Sequence, residues 1–177
     1  RFASTARQSI EDPSESLMLP DFRDDTLDKL CSESRQSMQF RFWDMDHTIC
    51  DNDCDVSWKE FLIDTGRAPE ADRRLVEKFY ADYADNILEP DVFMAFQLKE
   101  IAGKTRDEAA AVSQAHFETV VRPRIYPQAE TMIRRQLADG DRVILMTATN
   151  EVIGAPLAAH LGIELVATRL ELDRKST

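Results

Sequence analysis

Along the chain, short compact apolar runs alternate with longer stretches in which apolar residues recur at helical spacing. Gln39-Phe40-Arg41-Phe42-Trp43 is short, rich in aromatics and closed by an acidic cluster. That pattern predicts a strand, placed at the centre of a parallel sheet. From Val56 to about Val121 the period changes. Trp58, Phe61 and Leu62, then Leu75, Phe79 and Tyr83, follow the buried stripe of a helix. Thr65-Gly66-Arg67-Ala68-Pro69 breaks the stretch, and Glu89-Pro90-Asp91 opens another helix carrying Val92, Phe93, Phe96 and Leu98. Thr105-x-x-Glu108 has the form of a capping box ahead of a helix through Val120.

Tyr126-Pro127 starts a further helix, with Met132, Ile133 and Leu137 on one face and Asp139-Gly140 ending it. The run from Arg142 to Met146 predicts a second strand leading into Thr147-Ala148-Thr149-Asn150. A helix through Leu161 is stopped by Gly162, and Glu164 to Ala167 reads as one more short strand. Strand, long helical insertion, helix, strand, helix, strand is an α/β order with right-handed crossovers. Ligands bind at the carboxyl ends of the strands in such sheets, and both Asp44 and Thr147 are expected at such ends. Residues 1–38, rich in Ser, Asp, Glu and Arg, read as an N-terminal extension: a partly disordered or docking arm, with one short helix around residues 24–32.

Composition narrows the partners. The chain has 177 residues, 43% of them hydrophobic, enough for one compact domain or a core with a small inserted lobe. Its formal net charge of −11 argues against nucleic acid, whose backbone it would repel. A small anionic substrate would need a metal or backbone N–H groups to offset that charge. No apolar run approaches the roughly 18 residues of a membrane span, so a soluble protein without a membrane partner is expected. Three cysteines at irregular spacing form no disulfide framework and suit a reducing, cytoplasmic compartment. Cys50-x3-Cys54 beside His47 is half of a zinc pattern, but no second ligand pair accompanies it, so buried thiols are expected. Residues 1–10 lack acids and faintly suggest the end of a transit peptide.

The chemistry gathers around Asp44-Met45-Asp46-His47-Thr48. Two carboxylates two positions apart, just past a buried strand, can face one site when the chain leaves in a tight loop. Phosphoryl transfer needs a nucleophile, a proton donor for the leaving alcohol, and cations on the phosphoryl oxygens. Asp44 can attack phosphorus; Asp46, if its pKa is raised by the surrounding carboxylates, can protonate the leaving oxygen and later activate water. Asp51, Asp53 and Asp55 deepen the negative field, so a hard divalent cation, magnesium, is expected. Thr147, with the N–H groups beyond it from Ala148 onward, can hold a phosphoryl oxygen. Taken singly, an Asp-x-Asp pair is more often a set of loop acids and Thr147 a turn hydroxyl; two predicted strand ends together weigh more. Arg122 and Arg124 flank Pro123, and either could reach a substrate carboxylate or phosphate, though surface charge is the plainer reading. His116 and His160, beside apolar residues, read as structural. His47 contributes its backbone N–H more than its ring, and Trp58, Phe61, Phe79, Tyr80, Phe93 and Phe96 read as helical core.

Phe42-Trp43-Asp44-Met45-Asp46-His47-Thr48 resembles motif I, DxDx[TV], of the haloacid dehalogenase-like phosphatase superfamily. Val143-Ile144-Leu145-Met146-Thr147-Ala148-Thr149-Asn150 looks like its motif II. The helical stretch between them resembles the inserted cap of the phosphoserine-phosphatase-like subfamily, and Tyr80-Ala81-Asp82-Tyr83, Arg122-Pro123 and Ala155-Pro156-Leu157-Ala158 resemble recurrent phrases of bacterial members. The resemblance spans roughly residues 39–172. It implies a Rossmann-like core over residues 39–54 and 123–177, its C-terminal part missing, with an all-helical cap over residues 55–122. It implies Asp44 as nucleophile and magnesium ligand, Asp46 as acid/base with its backbone carbonyl on the metal, and Thr147 on the phosphoryl group. Asp53 falls where phosphoserine phosphatases carry a glutamate that meets the substrate amino group, which implies a small amine-bearing phosphomonoester; a solvated loop acid or helix cap at the start of the cap is the equal alternative. The family pattern continues into a lysine and an acidic pair, and Lys175 comes too soon after the last strand to match the former. The expectation is therefore either a truncated phosphatase or a catalytically inactive, phosphatase-like interaction protein, with a protein partner or dimer covering the exposed sheet edge.

Overall fold

Asp141, one residue ahead of the second strand, ties the sheet together. Its buried carboxylate accepts the Gln39 N–H at 3.0 Å and the Arg41 guanidinium at 2.8 Å, which brings β1 (Phe40–Trp43) alongside β2 (Arg142–Asn150). The Arg41 guanidinium, then the Gln39 N–H, hold that carboxyl below its ordinary range. The computed structural model describes residues 38–170; the expected arm, its short helix and Lys175 lie outside them.

Between β1 and β2 the chain is helical. α1 (Cys54–Asp64) ends at Thr65, with Gly66 at φ 70° making the turn that Thr65-Gly66 predicts. A 3-10 turn over Glu70–Asp72 leads into α2 (Arg73–Ala84), and Pro90 opens α3 (Pro90–Leu98) at its first position. The Thr105/Glu108 capping box is formed in both directions ahead of α4 (Arg106–His116). Instead of continuing regularly to Val120, α4 passes into a π-helical turn, Phe117–Val121, and a 3-10 turn, Arg122–Arg124, where Pro123 carries no N–H to extend the ladder. α5 (Pro127–Ala138) returns the chain to the sheet, the Trp43 indole N–H donating to Gln136 at 2.9 Å. α6 (Glu151–Leu161) ends at Gly162, left-handed at φ 68°, before β3 (Glu164–Thr168).

The three strands are parallel, in the order β1-β2-β3. This is the α/β, Rossmann-like arrangement, with one correction: among the described residues β2 is central and β1 lies at an edge. The aromatics of β1 are accordingly not enclosed, Phe40 and Phe42 being 51% and 58% exposed. β2 also runs past Met146, to Asn150, with an irregularity. Met146 pairs with Val166 and Asn150 with Thr168, so four steps on β2 oppose two on β3. One continuous core joins sheet and helices: Met45 and Ile49 after β1, Trp58 and Leu62 of α1, Ile133 of α5, Val143 and Leu145 of β2, and Leu157 of α6.

Candidate active site

The loop that leaves β1 is folded by its own backbone. The Ile49 and Cys50 N–H groups donate back to the Met45 carbonyl at 3.1 and 3.3 Å, and buried Met45 anchors the turn. His47 takes a left-handed conformation, φ 53°, its N–H donating to the Asn52 carbonyl at 3.4 Å. Asp44 is left exposed at the end of β1, and Asp46 is turned inward.

Asp46 is gripped at both oxygens. Oδ1 accepts the N–H of Cys54, the first residue of α1, at 2.9 Å, where the helix end favours negative charge. Oδ2 accepts from the Thr149 hydroxyl at 3.3 Å. Burial nonetheless raises the carboxyl above its ordinary range; the hydrogen bonds from Cys54 oppose that, and the charges of Asp53 and Asp44 add to it.

The same Thr149 hydroxyl lies 3.1 Å from Asp55 Oδ2. A hydroxyl has one proton to give, so it satisfies both carboxyls only if one of them donates to it in turn. Asp55 is suited to that. Burial pushes it up to about 7, the negative charges of Asp46 and Asp53 add to the shift, and the Thr149 contact works against it. When Asp55 is protonated it can donate to Thr149 Oγ1 while Thr149 donates to Asp46; when it is ionised, the Thr149 hydroxyl is shared between two acceptors. Neither Thr149 nor this role for Asp55 is foreseen from the sequence, where Asp55 only thickens the negative field. The irregularity in β2 carries Thr149 into place, and a spacing pattern does not reveal a bulge.

The other expected residues take varied positions. Thr147 lies within β2 rather than at its end, because the strand continues through the bulge; its Oγ1 accepts the Thr149 N–H at 3.2 Å. Ala148 is exposed, its carbonyl accepting the Thr168 hydroxyl at 2.7 Å. Asp53 is the N-cap of α1, its Oδ1 accepting from Val56 at 3.0 Å. Arg122 lies exposed on the π-helical side, paired with Glu118 at 2.7 Å. Arg124 donates to the Val120 carbonyl at 2.8 Å, while its own carbonyl accepts the Asp51 N–H at 2.9 Å. His116 is buried against Trp58 and Phe61, with Nε2 3.0 Å from the Ser57 hydroxyl; burial, aided by the charge of Arg124, lowers it to about 4. His160 sits against Phe117, 5.4 Å between ring centres, and its Nε2 is 3.5 Å from Glu130.

Asp44, Asp46, Asp53 and Asp55 therefore share one region, and among the described residues no ion pair includes any of them. Carboxyl groups without a cationic partner are a donor set suited to a hard divalent cation with oxygen ligands. Magnesium fits the residues present: the exposed Asp44 carboxylate and the Asp46 backbone carbonyl would hold it.

The model of the haloacid dehalogenase-like hydrolase family matches residues 42–176. A histidinol-phosphatase of Neisseria meningitidis serogroup C (strain 8013) is 30% identical over 131 residues, 73% of this chain and 59% of the relative's length. A protein of unknown function from Bordetella pertussis Tohama I superposes with a TM-score of 0.70 at 32% identity, covering 78% of this chain and 64% of that one. A phosphoserine phosphatase, solved as a phospho-aspartyl intermediate analogue, shares the fold with a TM-score of 0.51 at 12% identity, over 77% of this chain and 59% of its own. The chain thus spans less than two thirds of the length of its curated relative. With the Asp44/Asp46 loop after β1 and the hydroxyl-bearing end of β2 both inside the matched span, the chain belongs to the haloacid dehalogenase-like hydrolase family.

Proposed function

We propose that this chain is a magnesium-dependent phosphomonoester hydrolase that works through an aspartyl-phosphate. The observation that carries the reading is Asp46, fixed at one oxygen by the first N–H of α1 and at the other by Thr149, with an exposed Asp44 two residues before it. An Asp44 oxygen attacks phosphorus and the bond to the ester oxygen breaks. Asp46 gives its proton to the departing alcohol. Asp46, now ionised, takes a proton from water as that water attacks the aspartyl-phosphate, releasing phosphate and restoring both carboxyls. Its raised pKa suits the first step, and the two hydrogen bonds that accept its charge suit the second. Bound magnesium neutralises charge on the phosphoryl oxygens. Thr147 and the Ala148 N–H are assigned to a phosphoryl oxygen.

Residues 55–122 act as the cap, excluding bulk water and setting substrate choice. The substrate is a small phosphorylated metabolite. An amine-bearing one accords with Asp53, whose Oδ1 serves the helix cap and whose Oδ2 would meet an ammonium, and with the name of the Neisseria relative. Arg122 is a candidate for a substrate carboxylate, at the expense of its pairing with Glu118. Free Cys50 and Cys54 suit a cytoplasmic setting.

The test is hydrolysis of an aryl phosphate with magnesium, alongside beryllofluoride binding in its presence. Turnover by this chain that is abolished in Asp44→Asn is the expected result. A folded chain that neither turns over nor binds beryllofluoride with magnesium overturns the reading in favour of a catalytically silent interaction protein.

A further inference from the structure

The loop between β1 and α1 holds a second chemistry that phosphoryl transfer does not use. Cys50 and Cys54 are both free and fully buried, yet their sulfurs lie 3.8 Å apart. One ligating atom each from Asp46, Cys50 and Cys54 lies within 4.8 Å of the other two. We propose that these three residues form a binding site for one soft divalent cation, of which zinc is the biological representative.

The spacing matches that chemistry without any movement of the sulfurs, although 3.8 Å is also the distance of a thiol–thiol hydrogen bond. Two bonds of about 2.3 Å from a tetrahedral zinc separate their sulfurs by about 3.8 Å, the separation already present. A disulfide would require the sulfurs to close to about 2.05 Å, whereas a shared ion requires no closure. Asp46 adds an oxygen beside the two sulfurs; its Oδ1 can bind an ion while still accepting the Cys54 N–H. Three protein ligands leave a fourth position for water.

The surroundings hold the ligands in place. Asn52 Nδ2 donates to Cys54 Sγ at 3.2 Å and to the Ser57 hydroxyl at 2.7 Å, an outer contact that supports charge on sulfur. Binding replaces the two thiol protons, which leave to solvent, so a dication is exchanged for two protons and the net charge of the site is unchanged. Magnesium, which prefers oxygen, would not compete for the sulfurs. An occupied soft-metal site engages the Asp46 carboxylate, so zinc would act as an inhibitor of whatever Asp46 catalyses. The binding itself does not depend on the phosphatase reading.

Cadmium, added to the full chain kept reduced by a phosphine, reads the site directly through its thiolate charge-transfer absorbance. One equivalent should bind in the wild type and in Cys31→Ala alike. Cys50→Ala and Cys54→Ala should each weaken binding by more than the ~10–100-fold that loss of an outer-shell partner costs, and Asp46→Asn by at least about tenfold. Absence of the band at one equivalent, its survival in Cys50→Ala, or an unchanged affinity in Asp46→Asn overturns the proposal. Should a cysteine variant fail to fold, cadmium NMR of the wild type decides: a shift of mixed sulfur–oxygen coordination supports the site, and an all-oxygen shift overturns it.

Discussion

Two clusters of charged side chains are enclosed in this molecule, and they are built on opposite terms. In the helical segment Lys59, wholly buried on α1, pairs with Glu100 and donates to the Phe96 carbonyl at 2.5 Å, its ammonium 4.2 Å from the Phe96 ring centre. Lys99 completes the group, 2.5 Å from Asp72 and 3.7 Å from Glu100. Two cations meet two anions, and burial, which lowers the Lys59 pKa, is opposed by its Glu100 partner. Beside β1 the charges are all of one sign; burial raises Asp46 and Asp55, and the neighbouring carboxylates add to the shift instead of opposing it. A balanced cluster needs nothing further and serves the fold. An unbalanced one is stable only with protons or a cation to offset it, which is what a reaction centre exploits.

The comparison breaks most visibly at its balanced end. Glu100→Gln leaves a buried ammonium without its counter-ion and should cost about 3 kcal/mol of stability, read by urea unfolding. Lys59→Met together with Glu100→Leu should recover most of that loss, because neither charge is then buried. A double variant as unstable as the single one would show that packing, not charge balance, holds the segment.

Removing a charge at the unbalanced end should do the reverse. Asp55 rests at about 7 in the folded protein and about 4 when unfolded. Between those values the folded state keeps a proton that the unfolded chain has released. The Asp55 contribution is therefore full below about pH 4, falls as pH rises through the window, and is lost above about pH 7. Asp55→Asn should stabilise the protein by ~1–2 kcal/mol at about pH 8, and not at about pH 4. An equal effect at both pH values would place the shift elsewhere. His116 works in the other direction: held at about 4, it favours folding above its unfolded value near 6.5 and loses that contribution as pH falls toward 4. The smallest effect sharpens the contrast. Thr105→Ala removes a capping contact on the exposed start of α4 and should cost about 1 kcal/mol at neutral pH, read from the melting curve.

Legibility in the sequence divides along similar lines. Local signals were legible: the turn at Gly66, the Pro90 start, the Thr105/Glu108 box, the stop at Gly162 and the position of Asp44 and Asp46 each depend on residues close together in the chain. Pairings across the chain were not. Asp141 on β1, Thr149 between Asp46 and Asp55, and Lys59 with Glu100 join residues separated by 41 to 103 positions. The central placement of β1 failed for a related reason: aromatic content speaks for a strand, but neighbours decide whether it is an edge.

The irregularity of β2 bears on how such a chain can change over generations. Because four steps on β2 stand against two on β3, the surplus is an even number. Asn150, at the end of this stretch, caps α6 by accepting from Val152 and Ile153. A pair of residues can be gained or lost in this stretch without inverting the side chains beyond it. A single insertion or deletion would turn Asn150 to the opposite face and uncap the next helix, so length variation here should come in twos.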